Sequence, residues 1–402
     1  MATGVYFNIP AYGHTNPTLP LVKELVGRGE RIVYFHSTAF RREIEAAGAE
    51  FRECVVSEHL GKAADQSNLV KLIGNFFRLG NTVLEVTIDI IERNLEAVKK
   101  VKPDYILHDG LCLWGKYIAK ALGVKAVSVI SSFVFNDRIF KLMPEFFVAY
   151  PLMLLCDIKS YLKGFKLSAE IRNKFGLDAE MLNIFCNSEA LNIVFTTRYF
   201  QPYSSVLDES FRFVGPSVGE RREGSDFPFH KLEGRKVVYI SLGTVVNNQL
   251  DFYKECIRAF GGRDFAVVMP VGNLLDIKDL GDIPGNFIIR NYVPQLKILE
   301  KADFFISHCG MNSVNESLYY GVPMIMVPQQ IEEEIVAKRV SQLGGGVILK
   351  KSRANSENLR CAAEKINSNG SYRSNAAKIG KTFRDAGGYK RAADEILSYT
   401  AE

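Results

Sequence analysis

Short runs of β-branched and aromatic residues recur along the chain and alternate, for the most part, with helix-like segments such as 15–29 and 38–48. Runs of this kind are typical of buried strands. In the first half of the chain they are 5–10, 31–37, 105–110, 125–130 and 192–197. An alternation of strands and helices predicts a parallel sheet with helices on both faces, which is the doubly wound α/β class.

A charged segment rich in Gly and Pro separates this first series from a second one. The second series consists of 237–243, 265–270, 287–293, 304–307 and 323–328. Because 402 residues provide enough material for two cores, we expect two domains. Their expected bounds are 1–216 and 235–382, with a linker at 217–234 and a C-terminal helix at 383–402 that packs back on the N-terminal domain.

The composition of the chain excludes some classes of partner and favours one compartment. The net charge of +5 is small and its basic residues are dispersed, so nucleic acid is not expected as a partner. Seven cysteines without a C-x-x-C pair argue against a disulfide framework or a zinc site, and a reducing cytoplasm is the expected compartment. The chain begins without a basic, apolar leader, and the longest apolar stretch, 146–156, is too short to span a bilayer. We expect a monomer or a weak dimer.

The segment that begins at His308 combines a strand, a tight turn and a helix start. The apolar run 304–307 predicts a strand, Gly310 frees the backbone, and Asn312 and Ser313 are good helix-capping residues. Unpaired amides at a helix start attract anions, and these side chains add hydrogen-bond donors. The sequence therefore predicts a pyrophosphate site. The polar segment 329–334 leaves the next strand beside it, at the sheet edge where ligands of open α/β sheets bind.

A second polar cluster, 11–17, follows the first predicted strand. Here His14 lies beside a positive helix terminus, which favours a neutral imidazole that can accept a proton. Asp109 ends another predicted strand of the same domain and can bond the far nitrogen of that ring. The two residues are candidates for a base and its partner, and the alternative is that each simply caps a helix.

Two apolar insertions, at about 57–90 and 133–190, interrupt the strand series of the first half and are expected to be irregular. They can form the wall of a pocket for a hydrophobic molecule, or they can form core and surface helices. The aromatic residues that we single out as pocket candidates are Phe76, Phe77, Phe133, Phe135 and Phe140.

Several motifs together resemble one family. They are PAYGHTNPTLPLVKEL at 10–25, HDGLCLWGKYIAKALG at 108–123, YISLGT at 239–244, NYVPQLKIL at 291–299 and HCGMNSVNESLYYGVPMIMVPQ at 308–329. With these motifs in this order, the chain resembles the UDP-sugar-dependent glycosyltransferases of the GT-B fold, and among them the bacterial macrolide glycosyltransferases. The resemblance extends over nearly the full length of the chain. The resemblance implies two facing Rossmann-like domains with a crevice between them.

The resemblance also implies roles for individual residues. His14 would deprotonate an acceptor hydroxyl with support from Asp109, and the oxygen would then displace UDP from the sugar with inversion. UDP-glucose is the donor that we expect, and the acceptor would be a flavonoid, a phenol, a macrolide or a similar hydrophobic molecule. The implied donor-binding residues are Ser241, Gly243, Thr244, Tyr292, Val293, Gln295, His308, Gly310, Met311, Asn312, Ser313, Glu316, Glu332 and Glu333.

Within this set, the resemblance assigns His308, the Gly310 amide, Asn312 and Ser313 to the pyrophosphate. It assigns Gln295 and Glu316 to the ribose, and Tyr292 with the Val293 backbone to the base. Glu332 and Glu333 depart from the family pattern. In the family, an acidic residue followed by Gln commonly holds the hydroxyl groups of the donor sugar. An ionised Glu only accepts hydrogen bonds, so the identity of the donor sugar is less constrained.

No permanently bound cofactor is expected, and no Asp-x-Asp motif occurs, so we expect a metal-independent reaction. A nicotinamide dehydrogenase would require Gly-x-Gly-x-x-Gly after its first strand, which is absent here. Two hypotheses besides glycosyl transfer remain open at this point. One is a non-catalytic UDP-sugar-binding protein, and the second is a UDP-sugar hydrolase or epimerase with the same architecture.

Overall fold

The computed structural model describes residues 1–58, 60, 76–143, 154, 157–177, 187–219, 226–244 and 247–401. The chain forms two compact units. The first comprises Met1–Gly219 together with Ala386–Glu402, and the second comprises Glu220–Asp385. Each unit is built on one parallel sheet with helices, so the expected fold class of two Rossmann-like α/β domains is confirmed.

The first unit contains a seven-stranded sheet in the order β3-β2-β1-β4-β5-β6-β7, with every neighbouring pair parallel. The strands are β1 (Thr3–Phe7), β2 (Arg31–His36), β3 (Glu50–Glu53), β4 (Tyr105–Asp109), β5 (Lys125–Ile130), β6 (Leu191–Val194) and β7 (Phe211–Phe213). Its helices are α1 (Tyr12–Gly27), α2 (Arg41–Ala46), α3 (Phe76–Val101), α4 (Leu113–Leu122), α5 (Asp137–Phe140), α6 (Ile158–Phe175) and, at the C-terminus, α13 (Gly388–Ala401).

Both faces of this sheet are buried, which explains why its central strands read as continuous apolar runs. On β1, Val5 and Phe7 point into one cluster with residues of α3 and α4. The residue between them, Tyr6, points into the opposite cluster with residues of α1 and α13, and it stacks on Tyr34 at 4.6 Å between ring centroids. Successive side chains of a strand alternate in direction, so one run serves two cores.

The second unit contains a six-stranded parallel sheet in the order β10-β9-β8-β11-β12-β13. The strands are β8 (Val237–Ser241), β9 (Ala266–Pro270), β10 (Phe287–Arg290), β11 (Phe304–Ser307), β12 (Met324–Met326) and β13 (Gly346–Ile348). The helices are α7 (Leu250–Phe260), α8 (Gln295–Leu299), α9 (Met311–Tyr319), α10 (Ile331–Gln342), α11 (Ser356–Ser368) and α12 (Ser371–Asp385).

The structure corrects three expectations about individual elements. The insertions at 57–90 and 133–190 are not irregular throughout, because they include α6 and the first turns of the 26-residue helix α3. The C-terminal segment 383–402 is not one helix: α12 ends at Asp385 and α13 begins at Gly388, and Gly387 between them has a positive φ of 95° that a continuing helix does not permit. The edge strands β3 and β13 were not expected from the sequence.

Helix α13 belongs to the first unit although it comes last in the chain. Its Ala392, Ala393 and Ile396 are fully buried in the cluster that also contains residues of α1. Asp394 pairs with Arg28 at the end of α1, and the Gly388 amide donates to the Val214 carbonyl at 2.6 Å. None of the described helices is long and apolar enough to cross a membrane.

We expect Gly380→Ala to destabilise the second unit, because a Cβ at this position of α12 would overlap the backbone carbonyl oxygen of Leu318 on α9. Alanine is a better helix former than glycine by about 1 kcal/mol, but overpacking against backbone costs about 1–3 kcal/mol and should prevail. The measurement is the shift of the urea unfolding transition. Gly370→Ala is the control, since no described atom lies within 4 Å of a Cβ there; equal midpoints for the two variants would contradict the expectation.

Candidate active site

In the first unit, His14 lies in the first turn of α1, and its ring contacts the carboxylate of Asp109. The helix begins at Tyr12, three residues before the expected start, so His14 is its third residue rather than a residue of the preceding turn. Its Nδ1 lies 2.7 Å from Asp109 Oδ2, and Ser131 Oγ lies 3.3 Å from the same nitrogen. His14 and Ser131 come after β1 and β5, and Asp109 is the last residue of β4, so the three side chains meet at the carboxyl edge of one sheet.

The carboxylate of Asp109 is buried and held in place from both sides. It is the last residue of β4 and is 2% exposed. One oxygen contacts His14, and the other accepts the Leu111 amide at 2.8 Å. A carboxylate can only accept from Nδ1–H, so this contact selects the tautomer whose lone pair is on Nε2. The side chain of His14 keeps 24% of its surface exposed, as a residue that meets a substrate must.

A buried polar network fixes the turn that carries His14. Asn8 donates through Nδ2 to the His14 carbonyl at 3.0 Å and to the Tyr34 hydroxyl at 2.8 Å. Next to it, His36 accepts the Ser37 amide at Nδ1, and its Nε2 lies 3.0 Å from Thr15 Oγ1. Burial lowers the pKa of His36 to about 4. This histidine is therefore neutral at pH 7 and has a structural contact, not a substrate-facing one.

The five aromatic candidates divide into packed and partly exposed residues. Phe77 and Phe133 are buried and contact Tyr161 and Phe200 respectively, which is the core interpretation raised by the sequence. Phe135 and Phe140 are half-buried and stack on each other at 5.9 Å. The side chain of Phe76 lies outside the described residues.

In the second unit, His308 immediately follows β11 and starts a tight turn into α9. Cys309 is buried and has a positive φ of 73°, which is rare for a residue other than glycine and is often found at functional sites. Gly310 is the N-cap residue of α9. Met311, Asn312 and Ser313 are therefore the first three helical residues, and Asn312 and Ser313 do not occupy the capping position that the sequence suggested.

Gly243 and Gly310 pack against the imidazole ring of His308. A Cβ on Gly243 would lie 2.6 Å from Nε2 and a Cβ on Gly310 would lie 2.5 Å from it, both closer than real contacts allow. Gly243 also has a positive φ of 77°. Burial lowers the pKa of His308 to about 4, against the opposing effect of the Ser241 backbone. The ring is thus neutral at pH 7 and is packed between two backbone segments at the carboxyl ends of β8 and β11.

The turn after β8 contributes the remaining predicted residues of this edge. Ser241 is buried, and its Oγ accepts the Gly243 amide at 3.2 Å, while Thr244 is exposed. The residues that follow, 245 and 246, lie outside the described part of the chain.

Gln295 and Glu316 form a hydrogen-bonded pair. Gln295 is the first residue of α8, and its Nε2 donates to Glu316 Oε2 at 2.5 Å. The Tyr239 hydroxyl donates to the other end of the amide, Gln295 Oε1, at 2.8 Å. Near them in sequence, Tyr292 is 62% exposed and Val293 is half-buried. An exposed aromatic ring suits a ligand with a flat ring, and a buried carboxylate suits a ligand with hydroxyl groups.

Glu332 and Glu333 have different surroundings although they are adjacent. Glu332 is exposed. Glu333 is buried, and its Oε2 accepts the amides of Gln329 and Gln330 at 2.7 and 3.1 Å, where α10 begins. Its Oε1 lies 4.0 Å from His308 Nε2. Burial raises the pKa of Glu333 to about 7.

The sequence reasoning missed two residues of these clusters. Ser131 follows the predicted strand 125–130, so the rule that brought Asp109 to the sheet edge could have identified it. Tyr239 lies in the middle of an apolar strand, and the sequence carries no signal that its hydroxyl reaches Gln295. Within the described ranges, no group of three or more His, Cys, Asp and Glu side chains is arranged to hold a metal ion.

Comparison with known proteins relates this chain to glycosyltransferases. Residues 257–385 match the family described as the C-terminal domain of erythromycin biosynthesis protein CIII-like proteins. The solved structure of CalG4, the calicheamicin glycosyltransferase, superposes with a TM-score of 0.84 at 27% identity, covering 100% of this chain and 99% of that one. The fold therefore defines the chain as a glycosyltransferase of the GT-B class.

Two relatives from Bacillus subtilis strain 168 extend over almost the whole length. The NDP-glycosyltransferase YjiC is 38% identical over 393 residues, which cover 98% of this chain and 96% of the relative. The uncharacterized UDP-glucosyltransferase YojK is 34% identical over 403 residues, covering 99% and 97%. The chain belongs to this bacterial UDP-glycosyltransferase family, and the resemblance to macrolide glycosyltransferases is confirmed.

We expect Gly310→Ala to weaken nucleotide binding without unfolding the protein. Its φ of −56° is accessible to alanine, but the added Cβ would displace the His308 ring. A loss of at least about tenfold in UDP affinity corresponds to about 1.4 kcal/mol, the scale of one lost hydrogen bond. Calorimetric titration with UDP measures it, with Gly285→Ala as the control because no described atom lies near a Cβ there. Unchanged affinity in Gly310→Ala would refute this role of the glycine.

Proposed function

We propose that this protein is an inverting glycosyltransferase that moves glucose from UDP-glucose to a hydroxyl group of a hydrophobic small molecule. The observation that carries the proposal is the 2.7 Å contact between His14 Nδ1 and the buried carboxylate of Asp109. Nucleotide-sugar recognition alone has no need of a histidine with a carboxylate partner in the unit that lacks the His308 turn. A proton-transfer step does need one.

In the proposed reaction His14 acts as the general base. Its Nε2 takes the proton of the acceptor hydroxyl while Nδ1–H remains bonded to Asp109, whose negative charge stabilises the imidazolium that forms. The acceptor oxygen bonds to the anomeric carbon of the sugar, and the bond from that carbon to the phosphate oxygen breaks. UDP leaves with the electron pair of that bond. A single displacement of this kind inverts the anomeric configuration.

The proposed donor site is the edge formed by the turns after β8 and β11. The N-terminus of α9 directs amides and the positive end of the helix dipole toward an anion, and Asn312 and Ser313 add polar side chains. These groups, with His308, would bind the pyrophosphate and stabilise the charge that develops on UDP as it leaves. The amides and the dipole keep their orientation throughout, so they cost little reorganisation in the transition state.

The nucleoside would occupy the neighbouring cluster. Glu316 is buried and already accepts from Gln295, so its carboxylate is oriented to accept from the paired hydroxyls of a ribose. Tyr292 offers an exposed ring on which uracil can stack. The assignment of UDP-glucose is further supported by the name of YojK, a UDP-glucosyltransferase. Glu332 and Glu333 remain our candidates for contacts at the sugar end.

For the acceptor we propose a flavonoid, a phenol, a macrolide or a comparable natural product. The half-buried pair Phe135 and Phe140 gives the first unit an apolar surface beyond β5. Support also comes from the names of two matches, the calicheamicin glycosyltransferase CalG4 and the erythromycin biosynthesis protein CIII-like family. Phe77 and Phe133, which are packed in the interior, are not proposed as acceptor contacts.

The test is UDP release from UDP-glucose with a panel of flavonoid, phenol and macrolide acceptors. We expect acceptor-dependent release that falls about 10²–10⁴-fold in His14→Ala, the usual effect of removing a general base. Asp109→Asn should also lose activity, because the amide does not stabilise the imidazolium. His230→Ala is a matched control, since this histidine is exposed and lies in the other unit.

Two results would contradict the proposal. Equal UDP release with and without acceptor would indicate a hydrolase, and binding of UDP-glucose without release under any condition would indicate a sugar-nucleotide-binding protein. Full activity of His14→Ala would remove this residue from the role of base while leaving glycosyl transfer in place.

We also propose that the reaction needs no metal ion, because helix-terminal amides and hydrogen-bond donors can stabilise the leaving group. Turnover should then be unchanged, within about twofold, after dialysis against EDTA. The measurement compares initial rates before dialysis, after dialysis, and after addition of Mg²⁺ or Mn²⁺. A rate abolished by EDTA and restored by either metal would overturn this part of the proposal.

A further inference from the structure

The two oxygens of the Glu333 carboxyl group have different surroundings. Its Oε2 accepts the amides of Gln329 and Gln330, which fixes the side chain at the start of α10. Its Oε1 lies on the side of His308, 4.0 Å from Nε2. This distance is too long for a direct hydrogen bond, but one ligand oxygen can bridge the two atoms, since two hydrogen bonds of about 2.8 Å can meet at it.

Among the described residues, titratable groups face Glu333 from three parts of the second unit. Glu332, on the same helix, raises its pKa, whereas Lys351, after β13, lowers it. His308 faces it from the turn after β11 and is neutral at pH 7. Burial is the largest influence and, opposed by the two backbone amides, raises the pKa to about 7. In the free protein the group is thus close to half protonated at neutral pH.

A pyrophosphate bound at His308, as the proposed function requires, would bring a double negative charge next to this carboxylate. Like charges at such separation in a buried site strongly favour the protonated acid. We propose that Glu333 is a proton-coupled ligand of the donor site: it takes up one proton from solvent when the nucleotide sugar binds, and then donates a hydrogen bond from Oε1 to the ligand. Oε2 keeps its two backbone amides in both states.

The direction of the pH dependence follows from this coupling. Below pH 7 Glu333 is already protonated in the free protein, so binding takes up little proton and affinity is independent of pH. Above pH 7 binding must first protonate the carboxylate, so affinity falls by up to tenfold per pH unit. Between pH 6 and pH 8 the Kd should rise about tenfold.

The experiment is calorimetric titration of the protein with UDP-glucose, without acceptor, at pH 6, 7 and 8. UDP-glucose is a suitable probe because its pyrophosphate is esterified at both ends and has no ionisation near pH 7, unlike a phosphate monoester. Two buffers with different ionisation enthalpies at each pH give the number of protons taken up. We expect nearly none at pH 6 and nearly one at pH 8.

The variant Glu333→Gln separates this role from a structural one. Glutamine keeps the shape and an oxygen that accepts the two amides, but it cannot take up a proton. We expect no proton uptake and a Kd that is constant from pH 6 to pH 8. Glu334→Gln is the matched control, because Glu334 is exposed on the same helix and should leave the native pH profile unchanged.

A second variant keeps the test valid if Glu333→Gln fails to fold. Glu332→Gln removes the neighbouring charge that raises the pKa of Glu333, so the fall in affinity should begin at a lower pH, by a fraction of a unit. An onset that does not move, or moves upward, would contradict the inference.

The remaining outcomes distinguish this inference from the function on which it rests. Proton uptake that persists in Glu333→Gln would assign the proton to another group, such as His308, and overturn the inference while leaving donor binding intact. Tight binding of UDP-glucose with no proton uptake at pH 8 would do the same. No binding of UDP-glucose at any pH by the native protein would overturn the proposed function itself, and this inference with it.

Discussion

Burial of both faces of each parallel sheet determines where the chemistry of this protein can lie. Side chains on the central strands point into one hydrophobic cluster or the other, as Val5 and Tyr6 do in the first unit. A polar group placed there would lose its contact with water, so reactive side chains are confined to the strand ends. His14 lies in the first turn of α1 shortly after β1, Asp109 is the last residue of β4, and the turn after β11 carries His308. Each cluster of candidate residues therefore lies at the edge of one sheet, where its strands end.

The same rule explains how much of the structure could be predicted. The runs of apolar residues identified the central strands of both sheets, and their ends brought His14 and Asp109 to one edge from residue order alone. The edge strands β3 and β13 were not predicted because they are only four and three residues long and each pairs on one side only. The helical character of α3 was readable in principle, since Leu84, Ile88 and Ile91 recur at helical spacing and are buried.

Further features depend on distances that residue order does not contain. Both Gly243 and Gly310 lack room for a side chain for the same reason, the position of the His308 ring, yet they lie 67 positions apart in the chain. The hydrogen bond from Gln295 to Glu316 requires α8 and α9 to be adjacent, and residue order does not show that these two helices are neighbours. The burial of Glu333 beside an exposed Glu332 depends on the residue at which α10 begins, and helix boundaries are the least certain part of a prediction from sequence.

His14 and His308 are the same type of residue, but their surroundings give them different roles. Each lies after a strand and each faces a carboxyl group. His14 is in direct contact with Asp109 at 2.7 Å and keeps part of its surface exposed, so a proton gained by its ring is stabilised at once. His308 is packed between two glycines, and the nearest oxygen of Glu333 is 4.0 Å away, so its ring stays neutral. A carboxyl group at hydrogen-bond distance makes a histidine a better base. One that is held farther away, in a buried site, instead leaves a gap beside a neutral ring, and that gap suits the oxygen of an anion.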